Sequence, residues 1–307
     1  QVIANLVNKL VPPDQVTVIL GGREENSHLL EEEFDYIFFT GGTAVGKLVM
    51  QKAADHLTPI TLELGGKSPC IIDESADLDL AAKRIAFGKG INAGQTCVAP
   101  DYLLVHESVK DKLLPLIRDY WLSFYGNDPI ASSYWPKIVN KKHYDRLMKL
   151  LENTTIFCGG KGDGEHISPT LMTDVDWGDT VMQEEIFGPV LPVLTFKSIE
   201  DAVEQINKKE QPLSCYVFCE NQDRIQALIA AIPFGGGCIT DTLIQLSNPH
   251  LPFGGRGKSG MGRYHGKCSF DTFSHSKSIL FKGKIDFPFR YMPLDEHKTS
   301  LLKQFLK

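Results

Sequence analysis

The sequence lacks the residue spacings that are typical of metal sites and disulfide frameworks. It contains no Cys-x-x-Cys pair, and none of its nine histidines lies in a His-Glu-x-x-His arrangement. Its seven cysteines are an odd number and are scattered over all 307 residues, unlike the cysteines of a disulfide-stapled secreted domain. We therefore expect no metal centre and a reducing, cytoplasmic compartment.

Long apolar runs and an excess of positive charge are also absent. No run approaches the about 18 apolar residues that cross a bilayer, and the start, Gln1-Val2-Ile3-Ala4, has no basic region before an apolar secretory core. The 38 acidic residues outnumber the 32 basic ones, which gives a net charge of −6 and no broad positive field. We expect neither a membrane span in this chain nor a nucleic-acid partner.

Three short apolar runs in the first third of the chain each end at a glycine pair. They are Gln15–Leu20, Tyr36–Thr40 and Pro59–Leu64. Helix-compatible segments lie between them, as at Val45–His56, which is typical of the βαβ units of a parallel sheet. Such sheets bind ligands at the carboxyl ends of their strands, so we expect functional residues beside these glycines.

A second region of alternating strands and helices follows. The predicted strands are Tyr102–His106, Val190–Phe196 and Cys215–Cys219. The predicted helices are Leu78–Phe87 with Asp77 as its cap, Val109–Phe124, Lys141–Glu152, Ile199–Lys208, Gln222–Ala231 and the tail Lys298–Lys307. The fold class predicted from both regions is α/β.

The glycine-rich turn after the second run is a candidate phosphate site. Its residues are Gly41, Gly42, Thr43, Ala44, Val45, Gly46 and Lys47. Exposed backbone N–H groups and the helix dipole favour phosphate at such a position. A P-loop is one alternative, with Asp73 as its metal-binding residue, although Leu48 stands where a Ser or Thr is required. A tight turn without function is the other.

A thiol and a carboxylate are candidates for catalysis. Cys97 lies in a polar, glycine-containing bend, where neighbouring backbone N–H groups would lower its pKa and hold an oxyanion. Glu63 follows an apolar run beside a glycine pair, a position suited to a general base whose pKa burial has raised. The alternatives are an inert cysteine and a solvated glutamate at a strand end.

Two further motifs carry both a functional and a structural interpretation. Glu185 and Phe187 precede a predicted strand, where a carboxylate can hold ribose hydroxyls and a ring can pack on a flat heterocycle. The alternative is an acidic helix end with Phe187 in the core. Gly255–Gly260 matches Gly-x-Gly-x-x-Gly, but no convincing strand precedes it, so we do not expect a dinucleotide site. A solvent-exposed turn is favoured, with a shaped loop near a site as the alternative.

Five segments together resemble one enzyme family. They cover almost the whole chain in order: Phe39–Lys47, Leu62–Pro69, Gly94–Tyr102, Met182–Pro192, and Pro252–Gly255 with Ser259–His275. These segments are similar to those of the aldehyde dehydrogenase superfamily, and in particular to its class 3 branch of dimeric enzymes for fatty and aromatic aldehydes. The resemblance implies oxidation of medium or long-chain aliphatic or aromatic aldehydes to carboxylic acids, by a homodimer.

The resemblance also implies a role for each candidate residue. Cys97 would attack the aldehyde, passing through a thiohemiacetal and a thioester, and Glu63 would activate the water that hydrolyses the thioester. The turn from Gly41 to Gly46 would contact the pyrophosphate of NAD or NADP, with Gly42 where many relatives carry Ser or Asn. Glu185 would hold the nicotinamide ribose and Phe187 would flank the ring.

The domain organisation follows from the same resemblance. Residues 1–66 would be the C-terminal part of an NAD(P)-binding domain, 67–272 the catalytic thiol domain and 273–307 a bridging tail. The chain lacks the N-terminal segment of the family, so we expect an incomplete Rossmann-type domain. That segment carries an oxyanion donor, and losing one donor costs roughly a hundred- to a thousandfold in rate. If 307 residues were the whole polypeptide, we would expect an impaired dehydrogenase or a structural fragment, with a P-loop NTPase as a remote alternative.

Overall fold

The computed structural model describes residues 1–306, and the chain divides into two compact units, Gln1–Phe273 and Ser274–Lys307. Its helices are α1 (Val2–Leu10), α2 (Arg23–Leu29), α3 (Thr43–His56), α4 (Leu78–Gly90), α5 (Lys110–Tyr125), α6 (Lys141–Leu150), α7 (Ile199–Asn207), α8 (Gln222–Ala231), α9 (Gly266–Thr272) and α10 (Glu296–Phe305). Its strands are β1 (Ile37–Thr40), β2 (Ile60–Glu63), β3 (Pro69–Ile72), β4 (Tyr102–His106), β5 (Thr155–Cys158), β6 (Thr170–Thr173), β7 (Val190–Phe196), β8 (Ser214–Phe218), β9 (Gly236–Ile239) and β10 (Gly260–Met261).

A three-stranded sheet of order β1-β2-β10 forms the first layer of the large unit. β1 and β2 are parallel, as the βαβ pattern predicts, and β10 returns antiparallel to β2. Helix α3 packs Val49 against Leu62 and Leu64 of this layer. Gly46 lies where the helix crosses, because a Cβ there would stand 2.6 Å from Leu64 Cδ2. A larger residue at this position would therefore force the Leu64 side chain to move.

The second sheet has seven strands in the order β5-β6-β7-β4-β3-β8-β9. All neighbours are parallel except β5 and β6. Two apolar clusters bury its central strands, with Leu104 and Val190 in one and Leu103 and Tyr216 in the other. Burial on both faces explains why these strands read as continuous apolar runs in the sequence. The fold is α/β, a Rossmann-like sheet together with an α/β domain, as predicted.

Most predicted elements are present, with ends that move by a few residues. Helix α4 continues to Gly90 beyond the predicted Phe87, and its cap is Asp77, whose carboxylate accepts a hydrogen bond from the Leu80 N–H at 3.1 Å. α8 and β4 match their predicted bounds, and β8 lies one residue earlier than predicted.

The strand predicted at Gln15–Leu20 is wrong, because this run forms no ladder with any described residue. Val16, Ile19 and Leu20 are exposed, so no sheet face buries them. A β-branched run becomes a strand only where a partner backbone pairs with it. Helices α1 and α2 were not predicted from the sequence.

The small unit, Ser274–Lys307, contains helix α10 and a short 3₁₀ turn at Pro288–Arg290. Phe287, Phe289 and Phe305 gather there, with 5.9 Å between the ring centroids of Phe289 and Phe305. No helix in residues 1–306 combines the length and apolarity needed to cross a membrane.

Candidate active site

Glu63 ends β2 in the middle of the three-stranded sheet. Thr40 of β1 and Gly260 of β10 are its partners in register. Its side chain is buried, and neither carboxylate oxygen accepts a hydrogen bond from a described residue. Burial raises the pKa of Glu63 to about 8. The alternative of a solvated strand-end glutamate is therefore wrong.

The bend that carries Cys97 is shaped by consecutive residues in the left-handed region. Asn92, Ala93 and Gly94 have φ values of 51°, 50° and 68°. A Cβ on Gly94 would stand 2.3 Å from the Gly188 carbonyl oxygen, so this position requires glycine. Asn92 Nδ2 donates to the Gln95 carbonyl at 2.9 Å, which closes the bend just before the cysteine.

Burial raises the pKa of the Cys97 thiol to about 11, and the charges of Glu185 and Glu63 raise it further in that order. The backbone N–H groups of Cys97 and Val98 lower this pKa, as the sequence suggested, but burial outweighs them. The expectation of a lowered thiol pKa is therefore wrong for this state of the protein. Both carboxylates nevertheless raise the pKa of the thiol, which places the three groups in one site.

Glu185 approaches this site across the glycine pair that follows β2. A Cβ on Gly65 would stand 1.7 Å from Glu185 Oε2, so the missing side chain makes room for the carboxylate. Burial and the charge of Asp101 raise the pKa of Glu185 to about 8. The Gly66 N–H and the charges of Lys67 and Lys89 lower it, but by less. The glycine pair therefore forms the turn after β2 and also gives the Glu185 carboxylate its place beside that turn.

Phe187 follows in an unusual conformation. Its φ is 48°, in the left-handed region that a bulky residue rarely adopts, and its side chain is 37% exposed. The alternative that places Phe187 in the core is therefore wrong.

The turn from Gly41 to Gly46 lies at the same end of the sheet. The Gly41 N–H donates to the Glu63 carbonyl at 3.0 Å, and Gly42 is the N-cap of α3. No heavy atom lies within 4 Å of the place a Gly42 Cβ would occupy, and Ala44 and Val45 are exposed. The start of α3 is therefore open to a ligand.

The P-loop alternative is not supported by the position of Asp73. This residue directly follows β3 in the other sheet, where its carboxylate accepts hydrogen bonds from Arg224 Nη1 at 2.9 and 3.0 Å and from Ser75 Oγ at 2.6 Å. An aspartate held in this way is not available to a metal beside Lys47. Within residues 1–306 no group of three or more His, Cys, Asp or Glu side chains could hold a metal ion.

In the loop Gly255–Gly260, residues Arg256, Gly257 and Lys258 are exposed, as predicted for a solvent-exposed turn, but the end of the loop is buried. Ser259 is buried, and its carbonyl accepts the Leu64 N–H at 3.1 Å. A Cβ on Gly260 would stand 2.2 Å from the Leu62 carbonyl oxygen, because β10 lies against β2 there. The loop's glycines therefore bring β10 close to the strand that carries Glu63.

Some residues at the site were missed by sequence reasoning. Tyr264, Leu243 and Leu246 pack in one apolar cluster with Cys97. Burial raises the pKa of Tyr264, and the charges of Glu63 and Cys97 raise it further. The residues of this cluster come from segments far apart in the chain, so no local spacing reveals them. An adjoining cavity of about 760 Å³ is lined in part by Phe87, Ile91, Leu243 and Leu246.

Comparisons with known proteins agree with this geometry. The model of the "Aldehyde dehydrogenase family" matches residues 1–279. The chain is 49% identical to a 4,4'-diaponeurosporen-aldehyde dehydrogenase of Staphylococcus aureus, over 100% of this chain and 68% of that protein. It is 47% identical to the dog dimeric NADP-preferring aldehyde dehydrogenase, over 91% of this chain and 63% of that one.

A solved structure of Staphylococcus aureus AldH in a substrate-bound state superposes with a TM-score of 0.95 at 48% identity, covering 100% of this chain and 68% of that one. The chain thus spans about two thirds of the length of the relatives it matches.

Proposed function

Because the chain belongs to the aldehyde dehydrogenase family, we propose that it oxidises aldehydes to carboxylic acids with NAD⁺ or NADP⁺ through a covalent adduct on Cys97. One observation carries this proposal. Glu63, a buried carboxylate without a hydrogen-bond partner among the described residues, influences the pKa of a thiol held on a shaped bend. A nucleophile and a separate base are the two groups that thioester chemistry needs.

The residues present fit a dinucleotide cofactor. Open space in front of Gly42, at the start of a 14-residue helix, suits a pyrophosphate group. Glu185 would hold the nicotinamide ribose, and the exposed ring of Phe187 would flank the nicotinamide. When bound, the cofactor supplies a hydride acceptor.

Cys97 begins the reaction when its sulfur attacks the aldehyde carbon. Because its pKa is about 11, the thiol keeps its proton at neutral pH and must pass it to a water molecule as the C–S bond forms. The Cys97 backbone N–H would donate to the resulting oxyanion. At the thioester stage the ionised form of Glu63 would take a proton from the attacking water. The C–S bond then breaks, the acid is released, and the proton held by Glu63 returns to the sulfur, which restores the thiol.

The cavity beside the thiol indicates the class of aldehyde. Leu243 and Leu246 line the cavity and also pack in the cluster that contains Cys97, which connects the apolar space to the sulfur. Apolar chains gain about 0.8 kcal/mol for each buried CH₂ group. We therefore propose medium or long-chain aliphatic aldehydes, or aromatic ones, as substrates.

Other features of the protein are part of the same proposal. We propose residues 1–66 as cofactor-binding, 67–272 as the thiol domain and 273–307 as the tail. A homodimer is supported by the dog relative, whose name calls it dimeric. A cytoplasmic location is supported by the seven cysteines, all of which are free thiols in residues 1–306.

Aldehyde-dependent formation of NADH or NADPH tests the function. We expect it with the wild-type chain, and we expect its loss in Cys97→Ala but not in Cys158→Ala, which removes another half-buried thiol. Equal activity in all three proteins would contradict the role of Cys97. A folded wild-type chain that forms no reduced cofactor would instead favour a family member without turnover.

A further inference from the structure

A buried ion pair lies behind the segment that carries Glu185 and Phe187. Asp101, the residue before β4, is 3% exposed, and its Oδ2 pairs with Lys67 Nζ. The lysine belongs to the chain that leaves β2, four residues after Glu63, and the aspartate lies four residues after Cys97. The pair therefore connects the segment that follows β2 and Glu63 with the segment that follows the bend of Cys97.

The same two side chains hold the backbone around Glu185. Asp101 Oδ1 accepts the Ile186 N–H at 2.8 Å. Lys67 Nζ donates to the Val181 carbonyl at 2.9 Å and to the Glu184 carbonyl at 3.0 Å. Residues on both sides of Glu185 are thus fixed by one ion pair, and the direction of the Glu185 side chain follows from them.

A second contact comes from the opposite direction. Arg146 of α6 donates from Nη2 to the Ile186 carbonyl and from Nη1 to the Glu185 carbonyl at 3.4 Å. The peptide groups of Ile186 are therefore held on both their N–H and C=O sides. The next residue is Phe187, whose φ of 48° is strained. A strained residue persists only where its surroundings hold it in place, and the contacts of Ile186 provide that support.

We propose that Asp101 is a positioning residue that, through Lys67 and the Ile186 N–H, sets where Glu185 and Phe187 stand relative to Cys97. Asp101 does not touch the reacting atoms in this scheme. It acts by holding the two residues that would contact the cofactor, so the inference rests on the proposed function. A buried pair of this kind would also exist if its role were only to stabilise the fold, and the experiment must separate these two roles.

The chain offers a matched control on the neighbouring strand of the same sheet, at the opposite strand end. Asp73 is as buried as Asp101 and also forms an ion pair. It differs in position, because Asp73 follows strand β3, whereas Asp101 precedes the neighbouring parallel strand β4. Asp101→Ala, Asp101→Asn and Asp73→Ala are therefore compared in the full chain by three measurements. These are amide exchange at Ile186, the dissociation constant of NADH from its fluorescence, and the rate at which iodoacetamide alkylates Cys97 without cofactor.

We expect Asp101→Ala to speed exchange at Ile186 and to weaken NADH binding about tenfold or more, the size typical of lost contacts behind a ligating residue. Alkylation of Cys97 should rise, by about threefold or less, because Glu185, whose charge raises the pKa of the thiol, is no longer held beside it. Asp101→Asn keeps an oxygen that can accept from Ile186, so it should recover part of both losses. Asp73→Ala should change none of the three.

Unchanged exchange at Ile186 in Asp101→Ala would overturn the proposal, whatever happens to cofactor binding. Equal loss of NADH binding in Asp73→Ala would also overturn it, because a general loss of stability would then suffice. If Asp101→Ala does not fold, Asp101→Asn decides by the same measurements. If the wild-type chain binds no NADH, the proposed function fails, and exchange at Ile186 still decides whether Asp101 holds the segment.

Discussion

The charges around Cys97 set how fast its thiol reacts, and removing one of them changes that rate in a predictable direction. Glu185 and Glu63 both raise the pKa of Cys97, with Glu185 as the larger influence. Glutamine has nearly the same shape as glutamate but carries no charge. Glu185→Gln and Glu63→Gln should therefore lower the pKa of Cys97, in that order of effect.

The size of the effect follows from the titration of the thiol. With a pKa of about 11, only ~1% of Cys97 is thiolate at pH 9, and a fall of one pKa unit raises this to ~9%. A thiolate of lower pKa is also less nucleophilic, by about threefold for each unit at a Brønsted coefficient of 0.4–0.5. The net rate should therefore rise about threefold for each unit by which the pKa falls.

The assay measures the mixed disulfide that forms at Cys97 with 2-hydroxyethyl disulfide, followed by mass spectrometry of the peptide at pH 9. A neutral reagent is used because its approach does not depend on the charge removed. Both glutamates have pKa values of about 8, so they are ionised under these conditions. Glu184→Gln is the matched control, because Glu184 neighbours Glu185 but is exposed and pairs with Arg146. Equal rates in wild type and both active-site variants, or an equal rise in the control, would refute the reasoning.

Three other predictions concern stability and selectivity. Glu63 binds its proton more tightly in the folded state, with a pKa of about 8, so the stability of the fold falls as pH rises from about 4.5 to 8. Glutamine carries no charge at any pH. Thermal melts should therefore show that the advantage of Glu63→Gln over wild type in free energy of unfolding grows by about 1–3 kcal/mol between pH 5 and 9. Gly94→Ala should lower the free energy of unfolding in urea by about 2–4 kcal/mol because its Cβ meets the Gly188 carbonyl, whereas Gly178→Ala, which is not at positive φ and lies in open space, should change it by less than about 1 kcal/mol. Ile244→Trp should obstruct part of the cavity and reduce kcat/KM for long aldehydes about tenfold while sparing acetaldehyde, and a uniform loss for both would contradict the apolar chain site.

The fold and the two catalytic candidates were accessible from sequence because local patterns carry them. Gly41 and Gly65 follow parallel strands, and ligands bind at the carboxyl ends of such strands. The sequence pattern therefore predicts a functional role for Glu63. Cys97 stood out among seven cysteines because only its neighbours form a polar bend. Asp77 predicted the start of α4, because aspartate is a favoured N-cap residue.

What the sequence did not reveal depends on contacts between distant segments. The run Gln15–Leu20 has strand propensity but no partner, and pairing cannot be read from propensity. The thiol pKa was expected to fall because the backbone N–H groups are local, whereas the burial and the charges that raise it come from Glu63, Glu185 and the surrounding fold. Gly255–Gly260 looked like a surface turn because its partner strand lies almost two hundred residues earlier in the chain.

The covalent adduct is the central claim, and it can be observed directly. Glu63→Gln, which should still form the thioester but hydrolyse it slowly, is mixed with hexanal and NAD⁺, or NADP⁺, and quenched in acid. Mass spectrometry of the digested chain should find a hexanoyl group on the peptide that contains Cys97, together with one reduced cofactor for each site. Reduced cofactor without any acyl group on Cys97, or an acyl group on another cysteine instead, would contradict the account.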